Sequence, residues 1–258
     1  VNVPTREGYP EGIPCWVDLA TTDVDSAKTF YESIFGWEIQ EPQSEEVPYW
    51  MALKNGLPAA GIGPAPEGQP YSAWTSYLAV DDADATAATI REAGGQMITE
   101  PMDVLDAGRL AIAADPTGAV FGIWQSGEHK GAGIVNEHGA LNWNELQTTD
   151  VDGAVSFYES VFGYTHRTVE GGTGPYTVLA VGDRDVAGVM TPPADDVPNN
   201  WSVYFAVDDA TEARQRAQDA GGSAITETMD IPDVGTLVVL ADPTGAAFVV
   251  IQLAMEID

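Results

Sequence analysis

The sequence predicts an α+β fold in which one unit, built from two βαβββ motifs, is written twice. Three observations carry this. First, PCWVDLATTDVDSAKTFYESIFGW, starting at Pro14, returns as LNWNELQTTDVDGAVSFYESVFGY, starting at Leu141. Second, the match continues at one constant offset and without a gap, pairing Trp16 with Trp143, Tyr31 with Tyr158, Gly61 with Gly188, Trp74 with Trp201, Gly94 with Gly221 and Asp115 with Asp242. Third, apolar alternation typical of strands surrounds two helical patterns in each copy, each opened by an acid. A repeat of this length is a tandem duplication and sets the domain plan: unit 1 over 10–126, a linker over 127–138 and unit 2 over 139–254.

The elements follow in order. IPCWVDLAT alternates and is β-rich, so it reads as a strand. Asp23 then caps a helix whose Ala27, Phe30, Tyr31 and Ile34 recur at helical spacing until Gly36 stops it. YWMALKN and LPAAGIG are two short strands joined at Asn55-Gly56, a strong hairpin signal. AWTSYLAV restarts the pattern, DDADATAATIREA is an acid-capped helix closed by Gly94-Gly95, and GQMITEP, GRLAIAAD and AVFGIWQ are strands separated by turns. QSGEHKGAGIVNEHGA, rich in Gly and charge and without apolar periodicity, is the joint, and its His129 and His138 read as solvated loop histidines. The DPTG turns at Asp115 and Asp242 have a direct backbone use for Asp, Pro and Gly and read as turn chemistry.

Composition excludes several function classes. Forty acids against ten bases give a formal charge of −30, which disfavours nucleic acid and anionic lipid as partners. No run approaches the roughly 18 apolar residues of a membrane span, and VNVPTREGYPEG carries no apolar signal region, so the expected location is cytoplasmic. The single cysteine, Cys15, allows no internal disulfide and no thiolate cluster, and its apolar strand setting suits packing. A folded chain of this mass exposes roughly 11,000 Å², which spaces forty carboxylates about 16 Å apart, beyond the ~8 Å screening length of physiological salt. The fold tolerates this charge, and its stability should rise from low to molar salt as residual repulsion is screened. A thermal midpoint that does not move with salt would refute that account.

The helix DVDSAKTFYESIFGW, then AVDDADATAATIREAGG, then ADPTGAVFGIWQ resemble, in order and spacing, the glyoxalase/bleomycin-resistance/extradiol-dioxygenase (vicinal oxygen chelate) superfamily, including two-module glyoxalase-like proteins of actinobacteria and their hydroxylase-named members. The resemblance implies tandem glyoxalase-like modules, each with two βαβββ motifs curled into a half-open sheet whose concave cup holds the ligand. It also implies four metal-ligand positions per cup. On the first strand they fall on Trp16 and Trp143, on the fifth on Thr75 and Ser202, and on the last on Gly122 and Val249; the fourth strands offer only Asp185, at an edge. These side chains do not chelate a divalent ion, so no metal and no other cofactor is expected.

Alternation then fills the cup. If Trp16 faces inward, Asp18 does too, and the same logic joins Trp143 with Glu145, Thr75 with Tyr77, Ser202 with Tyr204, and Gly122 with Trp124. Trp74 and Trp201, one residue out of that register, belong to the helix-facing core. The expected site is an aromatic-walled pocket with one acid, lined by Trp16, Thr75, Tyr77, Trp124, Trp143, Ser202 and Tyr204, with Asp18 and Glu145 as candidate catalytic groups. The expected ligand is a planar or largely apolar small molecule, held by a monomer of two modules or by a homodimer. In an enzyme, Asp18 or Glu145 would serve as general acid or base.

Overall fold

The computed structural model describes residues 5–42, 48–171 and 174–254. The first unit runs β1 (Pro14–Thr21), α1 (Val24–Phe35), β2 (Glu38–Gln40), β3 (Trp50–Lys54), β4 (Leu57–Pro64), β5 (Ala73–Ala79), α2 (Ala83–Glu92), β6 (Gln96–Met97), β7 (Met102–Val104), β8 (Gly108–Ala114) and β9 (Val120–Ser126). The second repeats it as β10 (Leu141–Gln147), α3 (Val151–Phe162), β11 (Thr165–Gly171), β12 (Gly174–Val181), β13 (Arg184–Met190), β14 (Asn200–Ala206), α4 (Ala210–Asp219), β15 (Ser223–Ala224), β16 (Met229–Ile231), β17 (Gly235–Ala241) and β18 (Ala247–Leu253).

Local chemistry explains these boundaries. Asp23, Asp82, Asp150 and Asp209 cap the four helices, each carboxylate accepting from a backbone N–H three residues on, at 2.8 to 3.1 Å. Those bonds satisfy donors that a helix start leaves orphaned. Gly36 (φ 64°) and Gly163 (φ 66°) end α1 and α3 in the left-handed conformation, which glycine adopts without penalty. Asn55 (φ 53°) and Gly56 (φ 76°) both take positive φ, as the tight hairpin they were expected to form requires. GQMITEP is less regular than expected. Only Gln96 and Met97 pair as β6, and the chain adds the short β7 before β8.

Each unit forms one curved sheet, ordered β2-β3-β4-β1-β5-β9-β8-β6 and β11-β12-β13-β10-β14-β18-β17-β15. The two motifs of a unit meet where β1 pairs antiparallel with β5, and β10 with β14. The helix-bearing faces of the two sheets then pack on each other, with α1 against α4 and α2 against α3 across the units. Phe30, Tyr31, Ile34 and Phe35 of α1 share a core with Val203, Phe205, Val238 and Phe248 of the second unit. Reciprocally, Phe157 and Tyr158 of α3 share one with Leu78, Ile90 and Phe121 of the first.

Hydrogen bonds tie the same interface. The Tyr31 hydroxyl donates to Asp242 Oδ2 (3.2 Å) and accepts from Trp74 Nε1 (3.0 Å). The copy is faithful: Tyr158 donates to Asp115 (3.1 Å) and accepts from Trp201 (2.8 Å). The DPTG acid does serve its turn, since Asp115 Oδ1 accepts from Thr117 N, Thr117 Oγ1 and Ala119 N. Its other oxygen is a fastener between units. Trp74 and Trp201 sit in the helix-facing core, as their register predicted.

Candidate functional site

With Val17 and Leu19 of β1 committed to the core between the sheets, Trp16 and Asp18 face outward into the concave cup. Trp16 lies directly opposite Tyr77, and Asp18 opposite Thr75; Trp143 lies opposite Tyr204, and Glu145 opposite Ser202. Tyr77 in turn neighbours Gly122, and Tyr204 neighbours Val249. The structure therefore brings the expected residues together on one face in each unit. Trp124 joins Trp16 and Tyr77 in the apolar cluster of cup 1. Cup 2 has Val249 and Ile251 against Tyr204 and Trp143.

Each cup floor also contains a tyrosine that sequence reasoning missed. In cup 1, Tyr49 donates to Asp18 Oδ2 (3.3 Å) beside the donation from Tyr77 (3.0 Å), and Trp16 Nε1 donates to the Tyr49 hydroxyl (2.8 Å). In cup 2, Trp143 Nε1 donates to the Tyr176 hydroxyl (3.0 Å) and Gln147 Nε2 to Glu145 Oε1 (3.2 Å), and Tyr176 and Tyr204 are both close enough to act on the Glu145 carboxyl. Tyr49 and Tyr176 stand at the repeat offset, and that recurrence was the available signal.

The glycines of the cup floor make this arrangement possible. A Cβ at Gly61 would lie 1.8 Å from the Tyr49 hydroxyl, one at Gly188 1.7 Å from that of Tyr176, and one at Gly122 2.2 Å from the Tyr77 ring. The phenols lie flat on bare backbone. Gly61→Ala should therefore eject Tyr49 and cost on the order of 1–3 kcal/mol, the price of an unsatisfied buried group. In a Tyr49→Ala background the same change should cost little, and equal penalties in the two backgrounds, measured by denaturant midpoint, would refute the contact.

Burial dominates the electrostatics. It pushes Asp18 up to about 7, against the Tyr77 and Tyr49 hydrogen bonds that lower it. Glu145 is raised for the same reason, with its Tyr204, Gln147 and Tyr176 bonds opposing. Glu145 is buried and Asp18 keeps a partly exposed edge. Thr75 and Ser202 are half-buried, and Ser202 Oγ donates to Asn200 Oδ1 (3.0 Å). Asp18, held between two phenols, can accept or release a proton near neutrality.

The metal positions implied by the resemblance do not fit an ion. Trp16, Thr75 and Gly122 offer no strong donor, nor do Trp143, Ser202 and Val249, and each cup floor keeps one carboxyl. Among the described residues no three His, Cys, Asp or Glu side chains are grouped to hold one, whereas a catalytic zinc typically takes three protein ligands. Asp185 is exposed near the start of β13, paired with Arg167 of the edge strand β11. That pair and His166 line a cleft of about 290 Å³ outside both cups, where His166 already bonds Glu159 (2.6 Å).

One joint residue departs from expectation. His129 is not a solvated loop histidine: its ring packs edge-on against Trp16 (4.4 Å between centroids) and Trp124 (5.6 Å). Burial lowers its pKa to about 4. The reason is the path of the joint, whose Ala132, Ile134 and Ala140 are buried despite its Gly-rich, charged sequence. His138 remains half-buried and 3.5 Å from Asp208.

Comparison with known proteins agrees with this architecture. The sequence model of the Glyoxalase/Bleomycin resistance protein/Dioxygenase superfamily matches residues 15–123 and again 140–250. A Mycobacterium tuberculosis protein with the provisional name glyoxylase CFP32 is 47% identical, over 98% of this chain and 100% of that protein. The anthracycline biosynthesis protein DnrV of Streptomyces peucetius is 35% identical, over 95% of this chain and 94% of its own. Among solved structures, the 2,3-dioxygenase LapB from Pseudomonas sp. KL28 superposes with a TM-score of 0.66 at 12% identity, covering 96% of this chain and 95% of that one. The Mn(II)-bound glyoxalase from Novosphingobium aromaticivorans gives 0.62 at 16%, covering 96% and 87%. At such identities these two structures speak for the fold alone.

Proposed function

The chain belongs to the Glyoxalase/Bleomycin resistance protein/Dioxygenase superfamily, and we propose that within it this protein is a metal-independent binder of a planar, largely apolar small molecule. One observation carries the reading. Where the fold family implies metal ligands, the floor of each cup instead presents a tryptophan, two tyrosines and one carboxyl, joined in cup 1 by one hydrogen-bond network and in cup 2 by the Trp143–Tyr176 bond. Aromatic walls supply apolar area to a planar ligand, and the single carboxyl selects a hydroxyl, amine or amide on its rim. The relative named for anthracycline biosynthesis supports a polycyclic ligand class. The chain would act in the cytoplasm as a monomer of two modules or as a homodimer.

The test is a metal analysis joined to a ligand titration. Purified protein should hold no stoichiometric divalent metal, and chelator should leave its melting temperature unchanged. A planar phenol should quench its tryptophan fluorescence saturably. One equivalent of tightly held zinc, nickel, iron or manganese would overturn metal independence, and a linear, unsaturable response would overturn binding.

A second reading has its own support. Asp18, raised to about 7, has the affinity for protons that suits a general acid or base at neutral pH. In that enzyme Tyr77 would donate a hydrogen bond to substrate, and the reaction would be a lyase, isomerase or hydroxylase type of proton transfer.

A further inference from the structure

We infer that cup 1 is occupied by the chain's own His129 and that cup 2 is the ligand site, shaped for a planar ring system of at least two fused rings bearing a hydrogen-bond donor. The inference rests on the binding reading above and assigns it to one cup. The joint is pinned along its whole course over cup 1. Gly127 N and His129 N both donate to Ala107 O, Ala132 N to Cys15 O, and Gly133 N to Pro58 O, at 2.7 to 3.0 Å. The Tyr9 hydroxyl also donates to Ala132 O (2.7 Å).

Held in this way, the imidazole sits where a ligand would. It meets Trp16 at 83° between ring planes, an edge-to-face contact of the kind aromatic groups prefer. Trp124 meanwhile donates to the His129 carbonyl (3.0 Å). The Nε2 atom is buried without a hydrogen-bond partner, so the ring is retained by shape and by its backbone rather than by a polar bond of that nitrogen. Its low pKa keeps the occupant neutral at physiological pH.

The two cups differ in what this occupant covers. Trp16 is 4% exposed, whereas Trp143 is half-buried and, among the described residues, has no counterpart to the edge-on ring that His129 sets against Trp16. Ile251 stands at the repeat position of Trp124, so among the described residues cup 2 lacks both the indole and the imidazole that cup 1 contains. Val249 in place of Gly122 takes back only part of that space. What remains in common is the floor: Trp143, Tyr176, Tyr204 and Glu145 repeat Trp16, Tyr49, Tyr77 and Asp18. A donor on the ring rim would meet Glu145, and a second fused ring would fill the region over Ile251.

The test uses 2-naphthol as the probe and the indole N–H resonances of the seven tryptophans in the full chain as the readout. In the parent, one equivalent should shift Trp143 and leave Trp16 and Trp124 unmoved. His129→Ala should admit a second equivalent that shifts Trp16 and Trp124. Ile251→Trp, which restores the wall present in cup 1, should abolish the Trp143 response, and it decides the matter if His129→Ala does not fold. A parent that takes two equivalents, or that responds at Trp16 instead of Trp143, would overturn self-occupancy while leaving binding intact. A second equivalent absent in folded His129→Ala, or parent-like binding by Ile251→Trp, would also overturn it. No response at any cup tryptophan would overturn the binding reading as well.

Discussion

Expressed alone, residues 10–126 are expected to lose the folded monomer. Their helix α1 presents Phe30, Tyr31, Ile34 and Phe35, each no more than 1% exposed in the full chain, to a core it shares with Val203, Phe205 and Phe248 of the other unit. Burying one such side chain is worth about 1.5–3 kcal/mol, so exposing even half of this set removes several kcal/mol from a domain stability of roughly 5–15. The loss also leaves Asp115 without the Tyr158 hydroxyl. Near-ultraviolet circular dichroism should show no fixed tertiary packing, or size exclusion should show self-association through the vacated face. Mixing with residues 139–254 should restore a 1:1 complex. A monomeric fragment that unfolds cooperatively at the midpoint of the full chain would refute the shared core.

Asp18→Asn is expected to stabilise the protein at pH 8 and to do almost nothing at pH 4. The folded carboxyl titrates near 7 and the unfolded one near 3.9. Between those values the folded state binds the extra proton, so stability declines as pH rises through the window and stays reduced above it. Three units correspond to about 4 kcal/mol at most; with part of Asp18 exposed, ~2 kcal/mol is the working figure, or about 4–8 °C in melting temperature for a chain of this size. The measurement is the difference between variant and parent at the two pH values. An identical difference at both would show that Asp18 does not titrate anomalously.

The same substitution, paired with Glu145→Gln, separates binder from enzyme. Both keep shape and most hydrogen bonds while removing the ability to carry a proton. If the cups catalyse proton transfer, turnover should fall by about 10²- to 10⁴-fold with binding largely kept. If they only bind, Glu145→Gln should change affinity by about 1–3 kcal/mol, the range for one charged hydrogen bond, while Asp18→Asn, in the cup that His129 fills, leaves it near the parent's. Variants that bind and turn over like the parent would remove both acids from the site.

Much of this was legible from residues alone, and the reasons are local. Capping by Asp23 and its three counterparts is written within three residues of each helix start. The repeat offset reports duplication directly. Strand alternation assigns Trp16 and Asp18 to one face and Val17 and Leu19 to the other, because a pleated strand has no third choice. Tyr49 escaped although it opens the strand read as YWMALKN. Its role depends on the bare backbone of Gly61 on the neighbouring strand, a contact that no local pattern encodes.

The sequence by itself determined the elements, their duplication, the family and the inward register of the cup residues, since each depends on periodicity or chemistry within a short window. Tertiary structure alone decided which elements share a core and which cup the joint fills. Tyr31 and Asp242 are 211 residues apart, and FYES and DPTG read equally well as a helix face and a turn wherever the other unit lies. The joint looks solvated by composition, yet Ala132 and Ile134 are buried and His129 lies on Trp16. Composition records what a segment would prefer in isolation, whereas burial is set by the surfaces that distant elements bring to it.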